Sequence, residues 1–372
     1  MQKNVHIGST VTGDAYDIII ENNFESIIPE LEKLGSHDRR VLIISDTNVA
    51  PVYLEELSRT LESSFKSVYS LVLPAGESYK NLDQVRLVLS RLLELEFDRK
   101  DFLAALGGGV IGDLTGFAAA IYRRGIRFIQ IPTTLLSQTD SSIGGKTGVD
   151  LDSYKNMVGA FHQPSLTYIN VDTLNSLSPR EFSAGMGEII KHGLIKDSDY
   201  LDFVISNKDE ILAHQSDILA RMIERSLQIK AQVVEEDPKE LGIRAILNFG
   251  HTIGHAIEKW MNFSLLHGEC VSLGSIAAAY ISLKRGFLKP EEYDKIHNVF
   301  SAFSLPVSLI GHLGGIAENK AIEEIVRLTK SDKKMDGGKV RFILLQGIGN
   351  AVIDKSIRDE EIEEAIKKGI LS

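Results

Sequence analysis

Short β-branched and aliphatic runs recur through the first part of the chain, each followed by a stretch of helical periodicity. Val41–Ser45 (VLIIS), SVYSLVL, FLAAL, RFIQI and LTYINV have the length and composition of strands. Strands alternating with helices over residues 1–175 predict βαβ units and a largely parallel sheet. Ahead of these units, NVHIGS and YDIII predict an antiparallel pair added at a sheet edge. After about residue 178 the period becomes helical and stays so. SPREFSAGMGEIIKHGLI opens with Ser178, then Pro179 at the first helical position and Glu181 three after the serine, a capping-box start. Further helices are predicted over 215–236, 245–262, 267–286, 290–303 and 320–328. KVRFILLQGIGNAVID reads as a late hairpin and RDEEIEEAIKKG as a last helix. The boundary falls near Leu177, giving a nucleotide-binding α/β domain over 1–177 and a helical domain over 178–372. No linker rich in Pro or Gly separates them, so close packing is expected, with a cleft between them as the natural place for a ligand.

Composition narrows the class. At 372 residues the chain exceeds what one hydrophobic core usually supports, which agrees with two domains. A net charge of −10 argues against nucleic acid or an anionic membrane as the main partner, and it makes any local cluster of Lys and Arg more informative. A single cysteine, Cys270, excludes an internal disulfide and fits a reducing compartment. The N-terminal stretch has neither the apolar segment nor the cleavage site of a signal peptide. No apolar run approaches the ~18 residues that would span a bilayer. A cytosolic enzyme is the expected class.

Three stretches carry candidate chemistry. In FLAALGGGVIGDLTGFAAAIY, Gly107, Gly109 and Gly112 fit G-x-G-x-x-G after a strand and at the start of a helix, where bare amides suit a pyrophosphate. The turn sits in a late unit, and the next strand offers only Gln130 where an acidic residue would hold ribose. Asp46, at the end of VLIISD, could do so instead. These features predict a dinucleotide bound by a fold that departs from the standard Rossmann arrangement. The second stretch, LNFGHTIGHAIE, sets His251 and His255 one helical turn apart, with Thr252 where a zinc protease would carry Glu. Glu188, His192, His251, His255 and His267 are all candidate ligands of a divalent metal, and spacing alone admits several triads. QTDSSIGGKTGVDLDSYKNMVGAF reads as a long loop without good helix or strand, carrying Asp140, Lys146, Lys155 and Asn156. Lys191 follows Glu188 by three on one helix, Lys230 and Arg244 flank a helix junction, and SDKK supplies Lys333 and Lys334.

GGGVIGDLTGFAAAIYRRG, IPTTLLSQTDSSIGGKTGVD, GMGEIIKHGLI, LNFGHTIGHAIE, LHGECVSLG and DKKMDGGKVRFILL occur in this order over roughly residues 40–350. This succession resembles the motifs of the 3-dehydroquinate synthases, among the sugar phosphate cyclases, with a wider kinship to glycerol-dehydrogenase-like metal-dependent alcohol dehydrogenases. The resemblance implies a Rossmann-like NAD-binding α/β domain with a parallel sheet, followed by an all-helical metal domain. It implies zinc (or cobalt) on Glu188, His251 and His267, with His255 beside the metal or on the substrate phosphate and His192 a bystander. The implied substrate is 3-deoxy-D-arabino-heptulosonate 7-phosphate. Its C5 alcohol would be oxidised transiently with bound NAD, phosphate eliminated, the hydride returned and the ring reclosed by an intramolecular aldol, in the shikimate route to chorismate and aromatic amino acids.

Carried over by motif, Lys146, Asn156, Asn248, His255 and one lysine of DKK, Lys334 by preference, would hold the phosphate. Arg124 would reach the partner subunit's site in a homodimer. Lys230 and Arg244 would hold the carboxylate, while Asp140, Lys191 and Lys155 would contact hydroxyls or tune the site. Asp46, Asn48, Glu77, Lys80, Gly108, Gly109, Val110, Asp113, Thr133, Thr134, Lys146 and Lys155 match NAD-contacting positions. Two departures stand out. Tyr154 replaces the glycine common before Lys155, and Cys270 replaces a small residue near His267, where it is expected to be buried. Related cyclases acting on sedoheptulose 7-phosphate or glucose 6-phosphate, and polyol dehydrogenases with net hydride transfer, are the alternatives. The intact DSSIGGKTGVD loop with Lys230 and Arg244 favours the carboxylate-bearing substrate.

Overall fold

The structure, a computed structural model, describes residues 2–8, 15–152, 154–237, 242–333 and 342–372. In chain order it begins β1 (Lys3–Ile7), β2 (Tyr16–Glu21), α1 (Ile28–Lys33), β3 (Arg40–Asp46), α2 (Ala50–Glu62), β4 (Ser67–Leu73) and α3 (Leu82–Glu94). β5 (Phe102–Gly107), α4 (Gly109–Ile121), β6 (Arg127–Pro132), β7 (Lys146–Leu151), β8 (Tyr154–Phe161) and β9 (Leu166–Asn170) follow. Then come α5 (Pro179–Lys196), α6 (Ser198–Ser206), α7 (Lys208–Leu212), α8 (Ser216–Glu236), α9 (His251–Trp260) and α10 (His267–Lys284). The last elements are α11 (Pro290–Ala302), α12 (Glu318–Lys333), β10 (Phe342–Leu345), β11 (Ala351–Asp354) and α13 (Asp359–Ala365). The chain divides into two compact units: residues 1–177 with 214–231, and residues 178–213 with 232–372. Most of α8 therefore clusters with the first unit.

In the first unit a seven-stranded sheet runs β1-β2-β9-β6-β5-β3-β4, parallel throughout except for the antiparallel β1–β2 pair at its edge. Its strands are apolar on both faces because helices cover both. Alternate residues separate cleanly. Val41, Ile43, Phe102 and Ala104 pack with Leu57 and Leu61 of α2, whereas Leu42, Ile44, Leu103 and Ala105 pack with Val88 of α3 and Leu114 of α4. Each such buried aliphatic side chain stabilises the fold by about 1.5–3 kcal/mol relative to exposure. The ends of the parallel strands and the N-terminus of α4 are thereby fixed on rigid elements.

The stretch after Asp140 departs from its expected loop. It folds into an antiparallel ribbon of β7 and β8, with Lys146 opposite Phe161 and Gly148 opposite Gly159. A side chain at Gly159 would lie 2.2 Å from the Thr147 carbonyl oxygen, and one at Gly148 would lie 2.7 Å from that of Val158. The glycines that suggested a loop are there because the two strands approach too closely for Cβ atoms. Tyr154 lies at the closed end of the ribbon, half exposed and paired with Leu151.

Among the described residues, the regular elements of the second unit are helices apart from the β10–β11 hairpin, which agrees with the sequence expectation. Its centre is α10, buried over nearly its whole circumference from Gly268 to Ser282, Cys270 included. Arg285, just past the end of α10, clamps the hairpin and α13 through Asp354 at 2.8 Å and Glu361 at 2.8 and 3.0 Å. The hydrogen bonds from Arg285 hold the Glu361 carboxyl down at about 2. A depressed carboxylate contributes stability above its ordinary range and loses it as pH falls through the folded value. Arg285→Met is therefore expected to cost about 1 kcal/mol at pH 7, with the difference from wild type vanishing toward pH 2. Urea melts of both proteins across pH 2–7 check this; a pH-independent gap would remove Glu361 from the account.

Candidate functional site

Three helices of the second unit bring one carboxylate and two imidazoles together. Glu188 stands in the middle of α5, His251 opens α9 and His267 opens α10. Glu188 Oε1 lies 3.6 Å from His251 Nε2 and 3.6 Å from His267 Nε2. These helices meet through their backbones. A Cβ on Gly268 would stand 1.8 Å from the Ala184 carbonyl oxygen, and one on Gly187 would stand 2.8 Å from the carbonyl oxygen of Gly268. α5 and α10 thus touch beside Glu188 and His267. α9 begins at His251 rather than at the expected 245, because Gly250 takes a left-handed φ of 79° and separates it from a 3-10 turn over Ile243–Asn248. That break presents His251 in the first turn of its helix.

The electrostatics suit a cation. Glu188 Oε1 is buried with no hydrogen-bond partner among the described residues, a costly condition unless something else binds there. Burial works against ionisation of Glu188, yet Lys191, the other partner of its carboxylate, and the two histidines hold it well below the usual range. Burial and the nearby Lys191 push His251 down to about 3, so its imidazole is neutral. The His251 Nδ1–H donates to the Phe249 carbonyl at 3.1 Å, which leaves the Nε2 lone pair facing Glu188. Burial also opposes charge on His267, but Glu188 and Glu258 overcome it and lift His267 to about 9. The donor set of one carboxylate and two imidazoles fits zinc, with room for a further ligand.

In the first unit, the strand β5 runs through Gly107 and Gly108 into α4, as the dinucleotide mechanism requires. A Cβ on Gly112 would meet the side-chain oxygen of Gln130 at 2.7 Å, so the last glycine of the motif serves close helix–strand packing. Thr133 Oγ1 is buried at the end of the neighbouring strand with no hydrogen-bond partner among the described residues. Bare amides at the start of α4 and an orphaned hydroxyl at the end of the neighbouring strand β6 fit a phosphorylated cofactor such as NAD. Asp46 Oδ1 accepts from the Asn48 and Val49 amides at 2.8 and 3.1 Å, which fixes the carboxylate at the start of α2.

The sequence model of the family described as 3-dehydroquinate synthase N-terminal matches residues 70–184, and that of its C-terminal counterpart matches residues 185–335. The chain belongs to the 3-dehydroquinate synthase family. A protein named 3-dehydroquinate synthase from Acetivibrio thermocellus is 44% identical over 96% of both chains. Among solved structures, 2-epi-5-epi-valiolone synthase from Streptomyces hygroscopicus subsp. jinggangensis, with NAD+ and Zn2+ bound, is 27% identical with a TM-score of 0.86, covering 96% of this chain and 97% of that one. A 2-deoxy-scyllo-inosose synthase complexed with carbaglucose-6-phosphate, NAD+ and Co2+ reaches the same TM-score at 26% identity over the whole of both chains.

The other expected 3-dehydroquinate synthase positions fall into local clusters. Lys80 Nζ donates to Asp113 and to Asn156 Oδ1, both at 2.6 Å, drawing the turn before α3, helix α4 and the ribbon together. Burial raises the Asp113 carboxyl, with Lys80 pulling against it. Lys155, next to Tyr154 on β8, lies 3.7 Å from Glu77. Lys230, on the first-unit part of α8, pairs with Asp140 Oδ1 at 2.7 Å. Lys146 is exposed on β7, and Arg124 is exposed in a left-handed turn with φ of 65°. Arg244 is buried and Asn248 ends the same 3-10 turn. His255 is exposed on α9, its ring 5.1 Å from that of His251 and 5.9 Å from that of His267. His192 is buried. Gly109 and Val110, at the start of α4, and Thr134, just after β6, are half-buried. Lys334 lies outside the described residues. The sequence reading missed Glu258, which falls one helical turn after His255 on α9, and Arg180, whose bidentate grip on Glu269 at 2.7 and 2.8 Å ties α5 to the start of α10.

Proposed function

We propose that the chain converts 3-deoxy-D-arabino-heptulosonate 7-phosphate to 3-dehydroquinate and phosphate, the carbon–oxygen lyase reaction of its family. The observation that carries this reading is the intact Glu188–His251–His267 cluster in a chain 44% identical to a 3-dehydroquinate synthase over nearly its whole length. NAD and a divalent metal, zinc or cobalt, supply a reversible hydride acceptor and a Lewis acid when bound. Glu188, His251 and His267 hold the metal; the α4 turn from Gly108 to Val110 and Asp113, with Thr133 and Thr134, holds the dinucleotide phosphates, and Asp46, Asn48, Glu77 and Lys80 the rest of it.

The chain's own groups prepare the site. Lys191 keeps Glu188 anionic, and the bond from His251 Nδ1 to Phe249 keeps Nε2 free of a proton. Because Asn156 Oδ1 accepts from Lys80, its amide NH2 is the end that can donate to a phosphate oxygen. Lys146, Asn248, His255 and Lys334 join it on the phosphate, while Lys230 and Arg244 take the carboxylate. Asp140, Lys155 and Lys191 serve the hydroxyls. Fixing these cations in advance favours the charge that develops as phosphate leaves. Arg124 contributes to the partner subunit's site in a homodimer; two successive left-handed arginines, Arg123 and Arg124, support a functional use of that strained turn. No helix among the described residues is long and apolar enough to cross a membrane. A cytoplasmic location, supported by the single cysteine, completes the reading.

Phosphate release measured with catalytic NAD and zinc tests it. Release from 3-deoxy-D-arabino-heptulosonate 7-phosphate without net NADH, and none from sedoheptulose 7-phosphate, is the expected result. The reverse preference moves the chain to a sibling cyclase, and accumulating NADH moves it to a polyol dehydrogenase.

A further inference from the structure

Helix α9 carries more than its two histidines. His251, His255 and Glu258 stand at i, i+4 and i+7, on one stripe of the helix. Glu258 is only 6% exposed, which is unusual for a carboxylate without a task. Its Oε2 lies 3.8 Å from His267 Nδ1, on the side of the ring opposite to Nε2, which faces Glu188 at 3.6 Å. The imidazole of His267 therefore stands between two carboxylates, one at each nitrogen.

The start of α10 is held by other groups. The Leu266 amide donates to Glu269 at 2.7 Å, Glu269 grips Arg180, and Arg180 also donates to the Ser264 carbonyl at 3.0 Å. These contacts fix the backbone from which His267 projects, but none of them touches its ring. Rotation of the ring about its side-chain bonds is left to whatever faces Nδ1. His251 has the Phe249 carbonyl in that place. His267 has Glu258.

We propose that Glu258 is a positioning residue of the metal centre, accepting the Nδ1–H of His267 so that Nε2 presents its lone pair to the ion. The inference rests on the reading of Glu188, His251 and His267 as the ligands. About 1 Å of side-chain movement turns the observed approach into a hydrogen bond. A carboxylate behind a ligating imidazole fixes its tautomer and orientation and raises its basicity, and loss of such a partner typically lowers metal affinity about 10- to 100-fold. Glu258 could alternatively be a ligand, since His255, Glu258 and His267 also converge. The distances favour the positioning role: Nε2 of His267 points to Glu188, and Glu188 Oε1 is the oxygen that lacks a hydrogen-bond partner among the described residues.

Zinc competition against a chromophoric chelator, with the visible spectrum of the Co2+-loaded protein as a second readout, tests this on the full chain. Glu258→Gln is expected to keep one ion, lower zinc affinity about 10- to 100-fold and shift the cobalt bands. Glu258→Asp should recover part of both, which a merely structural role would not explain. His251→Ala serves as the reference for a lost ligand. Wild-type affinity and spectrum in Glu258→Gln, with the ion lost from His251→Ala, would overturn the inference and leave the ligand reading standing. Loss of the ion from both Glu258 variants as complete as in His251→Ala would make Glu258 a ligand and overturn it equally. Retention of the ion by His251→Ala would overturn the ligand reading itself.

Discussion

His251→Ala is expected to lose the metal ion, and with it all measurable turnover, whereas His255→Ala is expected to keep the ion and lose turnover alone. The two residues share one helix face, so sequence spacing cannot rank them. Geometry does. His251 is nearly buried, its Nδ1 is committed to the Phe249 carbonyl, and its Nε2 faces Glu188 at 3.6 Å. His255 is exposed one turn on. If the apparent free energy of a protein zinc site, about 10–16 kcal/mol, is divided over four ligands, each contributes roughly 3–4 kcal/mol. Removing His251 should then lower affinity by two to three powers of ten. Metal content after dialysis against a weak chelator distinguishes the variants. An ion retained by His251→Ala and released by His255→Ala would move the centre to the neighbouring cluster of His255, Glu258 and His267.

Gly268→Ala should be the most damaging single methyl group in the second unit. In an ordinary helix this exchange stabilises by up to about 1 kcal/mol. Here the new Cβ would stand 1.8 Å from the Ala184 carbonyl oxygen, and a backbone atom cannot swing aside as a side-chain tip can. Overpacking of well-packed cores costs about 1–3 kcal/mol, and a backbone obstacle belongs at or beyond the upper end. The expected loss is therefore roughly 3 kcal/mol or more, a fall in Tm of about 10 °C. Because α5 and α10 must separate to accommodate the methyl group, Glu188 and His267 should separate with them, and zinc affinity should fall as well. Gly311→Ala, where nothing lies within 4 Å of the added atom, is the matched control. Equal melting temperatures for Gly268→Ala and Gly311→Ala would show that the helices do not meet in this way.

The pattern of apolar residues was enough to place most elements. Parallel strands buried on both faces read as unbroken aliphatic runs, and helices with one buried face read as periodic ones, so both left their signature in the chain. The β7–β8 ribbon did not. Its strands are half exposed and carry Gly148 and Gly159 opposite each other, so the local composition is that of a loop while the reason for the glycines lies across the strand. The break before α9 was hidden for a similar reason. A Cβ on Gly250 would lie 2.8 Å from the Ser275 amide nitrogen, a contact made with a helix two dozen residues away. At the site, the proposed ligands Glu188, His251 and His267 were singled out only through resemblance, because spacing admitted His192 and His255 as readily as His251. Glu258 was visible in principle as the i+7 member of the histidine stripe. Its meaning needed the position of His267, which belongs to another helix.

The glycine crossings that join α5, α9 and α10 also bear on how the centre meets its ion. Ligands carried on long side chains or mobile loops must be ordered when the ion arrives, and each immobilised side chain subtracts from affinity. Here the helices carrying Glu188, His251 and His267 are in backbone contact at Gly187 and Gly268, and again where a Cβ on Gly274 would stand 2.0 Å from the Gly250 carbonyl oxygen. The spacing of these three backbones is thus set by close helix contacts. On the proposed assignment, the entropy of assembling the centre is spent in forming the helix core, and an ion would enter a geometry that exists before it does.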